Sequence, residues 1–568
     1  MNDPSELRAV TDRAELIDEL LRRPMSRRKA LTRAGTAGLA RTGLSTVVAA
    51  CGTSNANSSS SSSTTGGATT GGSSSTKSLT MTSGATPVTL DPGVSLDGQS
   101  PLLWRCVYEP LLKFKGSTIG VEPHLAKSYE LNAAGTKLVF HLRPDVLFSD
   151  GSALDAAAVK LNIQRQIAVK QGISYALTTV KTIETPDDHT VVVNLSGYSD
   201  GLLYGFASLY GVYMISPKAL KDHKGKDWAQ SWLRSNMVGT GPYTLENYQL
   251  NQQASFAKNE KYWAGWSGDH FDRVLVQYVS DPSSGRLELE RGQSQIALYL
   301  PDDVVYSMRA EKSVVVTDDP SFNVYYLGLP CRTGPTANKA VRQAISYGFD
   351  YETWTKNILN GTATQARGPL PKIFPGWDGS LPQYHYDVDK ARKMLAAAGH
   401  AGGGFSLKFI YETGYYWKRP LGEQFQANMK DLGIKVSIQE LSPSTWVGTL
   451  SNKASANEAY GVVWWPSLAT PFDFLWTLFA TSAQGSAGYN FTYYSNPKFD
   501  TVLNKATAEP DEAKRMKLYA QAQRIVVEDA PYIFLSDVNY LLPLNPKLKG
   551  FEFNGMYVNS VDPYGLSA

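Results

Sequence analysis

In Leu432-Gly433-Ile434-Lys435-Val436-Ser437-Ile438 a helical pattern stops at a glycine and an alternating apolar pattern begins. Pro420 to Leu432 reads as an amphipathic helix. Glycine is the residue that most readily takes the left-handed turn closing a helix, and the alternation after it reads as a strand. A helix feeding a strand through so short a link is the step from which α/β lobes are built. Further out, Lys137-Leu138-Val139-Phe140-His141-Leu142 and Thr190-Val191-Val192-Val193-Asn194-Leu195 read as strands. Asn338 to Phe349, Asp387 to Ala398 after a Pro and Gly loop, and Glu512 to Val527 read as helices. No repeat of short period is present, and no segment after residue 77 reaches the roughly 20 apolar residues that a membrane span needs.

The chain has 568 residues, 42% hydrophobic and 11% aromatic, enough for three or four ordinary domains or two large lobes. Lys and Arg total 55 against 52 Asp and Glu, a net charge of +3, and part of that excess lies in the first 41 residues, so nothing points to nucleic acid. Cys51, Cys106 and Cys331 are too few for a disulfide scaffold and lack the paired spacing of a zinc site. The 12 Trp and 31 Tyr suit a binding cleft, and an ordinary core equally well.

Ser26-Arg27-Arg28-Lys29-Ala30-Leu31 precedes a short, mildly apolar run from Ala34 to Ala50 that ends in Val48-Ala49-Ala50-Cys51. A basic segment, an apolar segment and small residues before a cysteine form an export signal with a lipobox, so residues 1–51 are expected to be a signal peptide and Cys51 the lipid acceptor. Arg27 and Arg28 resemble a twin-arginine signal, although Ala30 stands where a large apolar residue is usual and Arg41 interrupts the run; Sec export is the alternative. Gly52 to Lys77 is almost entirely Ser, Thr, Gly, Ala and Asn. Such a segment cannot bury enough apolar surface to order itself and is expected to be a disordered tether. As a flexible coil it would span about 25 to 30 Å. This order of parts predicts an extracytoplasmic protein held at the cell membrane by a lipid.

Six blocks over more than 400 residues resemble the family 5 extracellular solute-binding proteins, which include the oligopeptide-, dipeptide- and nickel-binding subunits of ABC importers. They are Thr89-Leu90-Asp91-Pro92 with Tyr108-Glu109-Pro110-Leu111-Leu112; Phe140-His141-Leu142-Arg143-Pro144 with Phe148-Ser149-Asp150-Gly151 and Asn162 to Arg165; Val238-Gly239-Thr240-Gly241-Pro242-Tyr243; Asn259-Glu260-Lys261-Tyr262-Trp263; Val341-Arg342-Gln343-Ala344-Ile345 with Phe349-Asp350; and Asp529-Ala530-Pro531-Tyr532. Two stretches depart from the pattern, Asp155-Ala156-Ala157-Ala158-Val159 and Gly292-Gln293-Ser294-Gln295, and are expected to have lost surface or capping contacts. Gly241 and Pro242 should shape a turn, and Tyr243 and Trp263 should belong to the core. The resemblance implies a two-lobed, periplasmic-binding-protein-like α/β fold of type II, cluster C, with an extra inserted domain. It implies a first lobe of residues 78–118, 236–320 and 535–568, an inserted domain of 119–235, and a second lobe of 321–534. It also implies a monomer without cofactor or metal that does no covalent chemistry, closes over a small solute, and works with ABC permease and ATPase subunits.

In the peptide-binding members an aspartate three residues after a Trp and four before a Pro pairs with the ligand's ammonium group. In Trp464-Trp465-Pro466-Ser467-Leu468-Ala469-Thr470-Pro471-Phe472-Asp473 that place is Ser467, whose hydroxyl cannot neutralise a buried ammonium. Asp473 sits where a helix start is expected and reads as a capping residue. The remaining ligand-binding candidates are Trp464, Trp465, Tyr299, Tyr489, Asn490 and the loop Asp97-Gly98-Gln99. This set suits an oligosaccharide or another neutral solute; a peptide with a different ammonium anchor is the alternative. The rival classes are a secreted glycoside-acting enzyme, for which no carboxylate pair stands out among the 52 acids, and an adhesive surface lipoprotein. Neither a Gly-x-Ser-x-Gly elbow nor a His-Glu-x-x-His helix is expected in the chain.

Overall fold

The computed structural model describes residues 77–568. The expected signal peptide, lipid-acceptor Cys51 and tether therefore lie outside the described residues, save Lys77.

Three sheets carry the architecture. The first has seven strands in the spatial order Val315–Val316, Pro543–Leu544, Ile296–Leu298, Ser78–Ser83, Arg273–Tyr278, Gln253–Lys258 and Tyr243–Gln249. Ser78–Ser83 runs parallel to both of its neighbours, which requires the long crossovers that supply the flanking helices. The second has six strands in the order Ala363–Gln365, Tyr532–Tyr540, Asp319–Gly328, Ala459–Trp464, Ser406–Glu412 and Lys435–Leu441. The third is an antiparallel four-stranded sheet of Ala126–Leu131, Lys137–Leu142, Thr190–Leu195 and Val180–Asp187. Leu138, Phe140 and Leu142 all point into its core, as strand periodicity requires. That core is continuous with one face of the second sheet, since Phe140, Phe206, Tyr326, Tyr460 and Phe474 belong to one apolar cluster.

The step at Gly433 is as expected. The helix Lys418–Asp431 gives way to Gly433 at φ +71°, and the strand Lys435–Leu441 follows. The helix begins two residues before Pro420, because the first turn needs no proline N–H. The other expected helices form as Lys339–Tyr347, Val388–Ala397 and Glu512–Asp529, capped by Asn338, Asp387 and Asp511. Asp155 keeps a cap where a lost contact was expected, accepting a 2.7 Å bond from the Ala158 amide. Gln295 likewise accepts the Thr80 amide at 2.7 Å.

The chain passes between the first and second sheets twice, at residues 317–318 and 541–542. These crossings lie side by side, with the Thr317 amide bonded to the Leu542 carbonyl at 2.9 Å. Three expected divides differ from this. The 118/119 divide falls in the turn of the hairpin Leu112–Phe114/Val121–Pro123, and those at 320/321 and 534/535 fall inside the strands Asp319–Gly328 and Tyr532–Tyr540. A boundary carried over from a resemblance does not follow how two distant strands of this chain pair along their length.

The recognisable blocks are joints of this scaffold. Arg165 grips Asp91 with both guanidinium branches, at 3.0 and 2.5 Å, and both side chains are almost fully buried. Glu109 gathers His124 Nε2 at 2.9 Å, Thr240 Oγ1 at 2.7 Å, Tyr262 Oη at 2.7 Å and Trp263 Nε1 at 3.0 Å, joining three blocks at one carboxylate. Arg342 donates to the Asp529 carbonyl at 3.0 and 2.6 Å. Tyr243 is buried and bonded to the Phe271 carbonyl, in keeping with a core role.

Candidate functional site

A cleft of about 690 Å3 lies between the first and second sheets. Its first wall comes from the loop Asp97-Gly98-Gln99 and from residues 299–302, its second from Tyr325, the segment 412–418, Trp446 and residues 462–467, and its floor from the crossing at 538–543. Eight of the nine ligand-binding candidates border it: Asp97, Gly98, Gln99, Tyr299, Trp464, Trp465, Ser467 and Tyr489.

Each of these is held by its neighbours. Tyr299 follows its strand at φ +58° and donates its hydroxyl to the Gly98 carbonyl. A Cβ at residue 98 would sit 3.1 Å from that hydroxyl, tight enough to make it shift by a few tenths of an ångström, and in ordinary contact with Trp465 at 3.5 Å, so the two walls already lie close here. The Asp97 carboxylate shapes the loop itself, accepting from Ser95 Oγ at 2.7 Å and from the Gln99 and Ser100 amides at 3.0 and 2.8 Å. Trp465 Nε1 donates to Tyr210 Oη at 2.9 Å, which fixes the indole plane. Trp464 packs on Tyr489 with ring centres 5.1 Å apart, and its Nε1 has no partner in the protein. Ser467 is bound through its backbone, its amide to Asp473 Oδ2 at 2.8 Å and its carbonyl to Ser208 Oγ at 2.6 Å.

Two expectations are corrected. Asn490 is fully buried and takes no part in the cleft: its Nδ2 donates to the Ala480 and Tyr494 carbonyls, and its Oδ1 accepts from Thr492 Oγ1. A residue beside Tyr489 in sequence faces the other way in a tight loop. Nor is Asp473 the cap of its helix. Thr470 caps Pro471–Phe479 by accepting the Phe472 amide, while Asp473 is buried and bonded to Tyr175 and Ser467, its pKa pushed up to about 7 by burial.

The sequence reading of a neutral aromatic cleft misses its charged wall. Glu412 Oε1 accepts from Lys418 Nζ at 2.5 Å, with both side chains more than nine-tenths buried. The ammonium of Lys418 lies 4.3, 5.4 and 4.8 Å from the ring centres of Tyr415, Trp417 and Trp446, a cage that favours a cation by ring quadrupole. Burial lowers the Lys418 pKa and the Glu412 carboxylate opposes that shift. Trp417 stacks on Tyr325 at 4.0 Å. Asp302 borders the same space beside the Tyr325 hydroxyl and keeps an exposed side chain; partial desolvation and the neighbouring Asp303 push its carboxyl up to about 6. The run Glu412-Thr413-Gly414-Tyr415-Tyr416-Trp417-Lys418, a carboxylate and an ammonium bracketing three aromatics, is the signal that could have drawn attention to this wall.

Gly197-Tyr198-Ser199-Asp200-Gly201 carries Gly-x-Ser-x-Gly spacing, but it follows its strand into turns and a short 3-10 segment rather than a helix, so it forms no nucleophile elbow. Cys106 and Cys331 are free thiols. Among the described residues no group of three His, Cys, Asp or Glu is placed to hold a metal, and no helix is long and apolar enough to cross a membrane.

Residues 120–486 match the family model described as bacterial extracellular solute-binding proteins, family 5 Middle. The chain is 34% identical over 483 residues to the probable D,D-dipeptide-binding periplasmic protein of Escherichia coli (strain K12), covering 84% of this chain and 92% of that one. It is 27% identical to heme-binding protein A of Haemophilus influenzae, covering 84% and 90%. In three dimensions it resembles the ABC transporter-associated periplasmic binding protein DppA of Helicobacter pylori in complex with the peptide STSA, with a TM-score of 0.77 at 24% identity over 86% of this chain and 98% of that one. With the two sheets facing across a cleft, these matches establish that the chain belongs to the family 5 bacterial extracellular solute-binding proteins, the two-lobed, non-enzymatic substrate-binding subunits of ABC importers.

Proposed function

We propose that this subunit captures its solute in the 690 Å3 cleft between the two large sheets and hands it to the permease when the lobes part. The observation that carries this reading is the convergence of Asp97, Gly98, Gln99, Tyr299, Trp464, Trp465, Ser467 and Tyr489, from widely separated parts of the chain, on one concave, largely aromatic space. The first lobe is assigned to 78–118, 236–320 and 535–568, the inserted domain to 119–235 and the second lobe to 321–534, with the two divides between lobes moved to the crossings at 317–318 and 541–542. The protein is read as a monomer, as the resemblance implies.

At Ser467 the cleft meets its ligand with a hydroxyl. An uncharged group fits there, as an oligosaccharide or another neutral solute would supply. A second reading is a short peptide whose amine is met elsewhere, favoured by the unpaired oxygen of Glu412 and by relatives named for binding D,D-dipeptides and dipeptides. Thermal unfolding against panels of di- to pentapeptides, malto- and cello-oligosaccharides and nickel chelates tests the proposal. A true ligand at a hundredfold over its Kd should stabilise by about 2.7 kcal/mol, and a Trp465→Ala variant should lose that gain. A ligand that stabilises both forms equally would place the site elsewhere.

The N-terminal parts complete the proposal: export through the Arg27-Arg28 signal, and a lipid on Cys51 that holds the protein at the outer face of the cytoplasmic membrane. Cys51→Ser should move the protein from the membrane fraction to the soluble extracytoplasmic fraction. Retention in the membrane would refute the anchor.

A further inference from the structure

We infer that the chain has a second small-molecule site, a cavity of about 550 Å3 separate from the capture cleft, in which Arg143 takes the carboxylate of an organic acid whose body lies against aromatic rings. This holds whatever solute the cleft captures.

The cavity lies where the helix Pro101–Val107, the hairpin Leu112–Phe114/Val121–Pro123 and the chain end at 550–566 meet. No residue borders both it and the cleft. Small-ligand sites occupy about 300 to 1,000 Å3, so there is room for a molecule of modest size.

Arg143, partly exposed, borders this space. Its Nε donates to the His124 carbonyl at 2.6 Å and its guanidinium lies 4.5 Å from the centre of the Trp263 ring. Among the described residues neither terminal nitrogen has a hydrogen-bond or carboxylate partner. A guanidinium held by its Nε and by a ring face retains a two-nitrogen fork, and that fork matches a carboxylate through two parallel bonds.

A second guanidinium borders the same space. Arg105 lies 4.4 Å from the centre of the Tyr557 ring, with its side chain 18% exposed. Its polar contacts are long, 3.5 Å to Ser560 Oγ and 3.6 Å to Asp562, a carboxylate that is itself more than half exposed. Such contacts are weak and easily exchanged. The other acids on the border are engaged or solvated. Glu109 is filled by four donors of its own, Glu122 pairs with Lys113 at 3.3 Å, and Glu552 is exposed to water. The unspent polar groups of the cavity are therefore donors on two arginines, and what they lack is an anion with acceptor oxygens. Trp263, Phe551 and Tyr557 add aromatic borders, which suit an acid carrying a ring or a short chain better than a bare inorganic anion.

The test is titration calorimetry on the full chain with benzoate, indole-3-acetate and octanoate, their primary amides, and inorganic phosphate. At least one acid should bind, with its amide and phosphate weaker by about 10-fold or more, because the bonds at stake are to a charged group. Arg143→Gln and, separately, Arg105→Gln should each weaken that acid by about 10-fold, whereas Trp465→Ala in the cleft should leave its affinity unchanged. The comparison of acid with amide uses the unaltered protein, so it decides the need for a carboxylate even where a variant fails to fold. An amide that binds as well as its acid, phosphate that binds as well as the acids, or full affinity in both arginine variants overturns the site. Loss of binding in Trp465→Ala also overturns it, by placing the acid in the capture cleft. Binding of no acid overturns it too and leaves the capture cleft standing.

Discussion

Tyr175 donates its hydroxyl to Asp473 Oδ1 at 2.5 Å, tying the segment below the antiparallel sheet to the helix that follows the cleft strand Ala459–Trp464. The other oxygen of Asp473 accepts the Ser467 amide, so this buried carboxyl positions the stretch that supplies Trp464, Trp465 and Ser467. A neighbouring joint repeats the arrangement, with Asp200 accepting from Thr470 and Tyr519 hydroxyls at 2.5 Å each.

That joint should make stability pH-dependent. Burial raises the Asp473 pKa from an ordinary 3.8 to about 7, and it also raises that of Asp200. Between those limits the folded state holds a proton that the unfolded state releases, so stability falls as pH rises, by up to about 1.4 kcal/mol per unit from Asp473 alone. Melting curves from pH 4.5 to 8 should show a steeper decline for the wild type than for Asp473→Asn. Parallel curves would mean that Asp473 does not take up a proton in this range.

Gly433→Ala tests the helix-to-strand step. The residue stands at φ +71°, and an added Cβ would overlap the Gly402 carbonyl oxygen. Left-handed strain alone costs about 1 to 2 kcal/mol and the overlap adds to it. Denaturant unfolding should therefore show a loss of at least about 2 kcal/mol with ligand affinity unchanged, since the step lies away from the cleft.

Asp91→Asn breaks the joint between two of the recognisable blocks. It leaves the Arg165 guanidinium buried without a counter-charge, a defect worth about 3 to 5 kcal/mol. Asp91→Asn with Arg165→Met should recover part of that loss, and a double-mutant cycle measures how much. A single variant as stable as the wild type would show that the pair contributes nothing.

Trp464→Ala and Trp465→Ala separate the two indoles. Trp465 is held by a hydrogen bond to Tyr210, whereas the Trp464 side chain makes no hydrogen bond and is only partly buried where it packs on Tyr489 and the edge of the apolar core. Trp465→Ala should lower both ligand affinity and melting temperature, while Trp464→Ala should lower affinity with little effect on melting. Calorimetry paired with melting curves distinguishes them, and equal effects on melting would refute the difference in support.

Much of the fold is legible in the chain because it rests on local rules. The glycine at 433, the caps at 338, 387 and 511 and the alternation of Lys137–Leu142 act within a few residues, and each element formed within a few residues of its expected limits. The joints are different. That Asp91 meets Arg165, or that Glu109 collects donors from residues 124 to 263, depends on chain crossings that no local pattern encodes.

The cleft divides the same way. The resemblance to the family pointed to Trp464, Trp465, Tyr299, Tyr489 and the loop at 97–99, because it says which stretches should line the cleft and their aromatic residues can be read in line. By itself the sequence determined an α/β chain of this family, and it led to the expectation of an export-type N-terminus and an aromatic binding face. Only the tertiary structure decided that Asn490 turns inward, that Asp473 is buried at pKa about 7, and that Glu412 and Lys418 pair at the cleft wall. Burial, pairing and the direction of a side chain are set by what packs against it, and in this fold the packing partners come from hundreds of residues away.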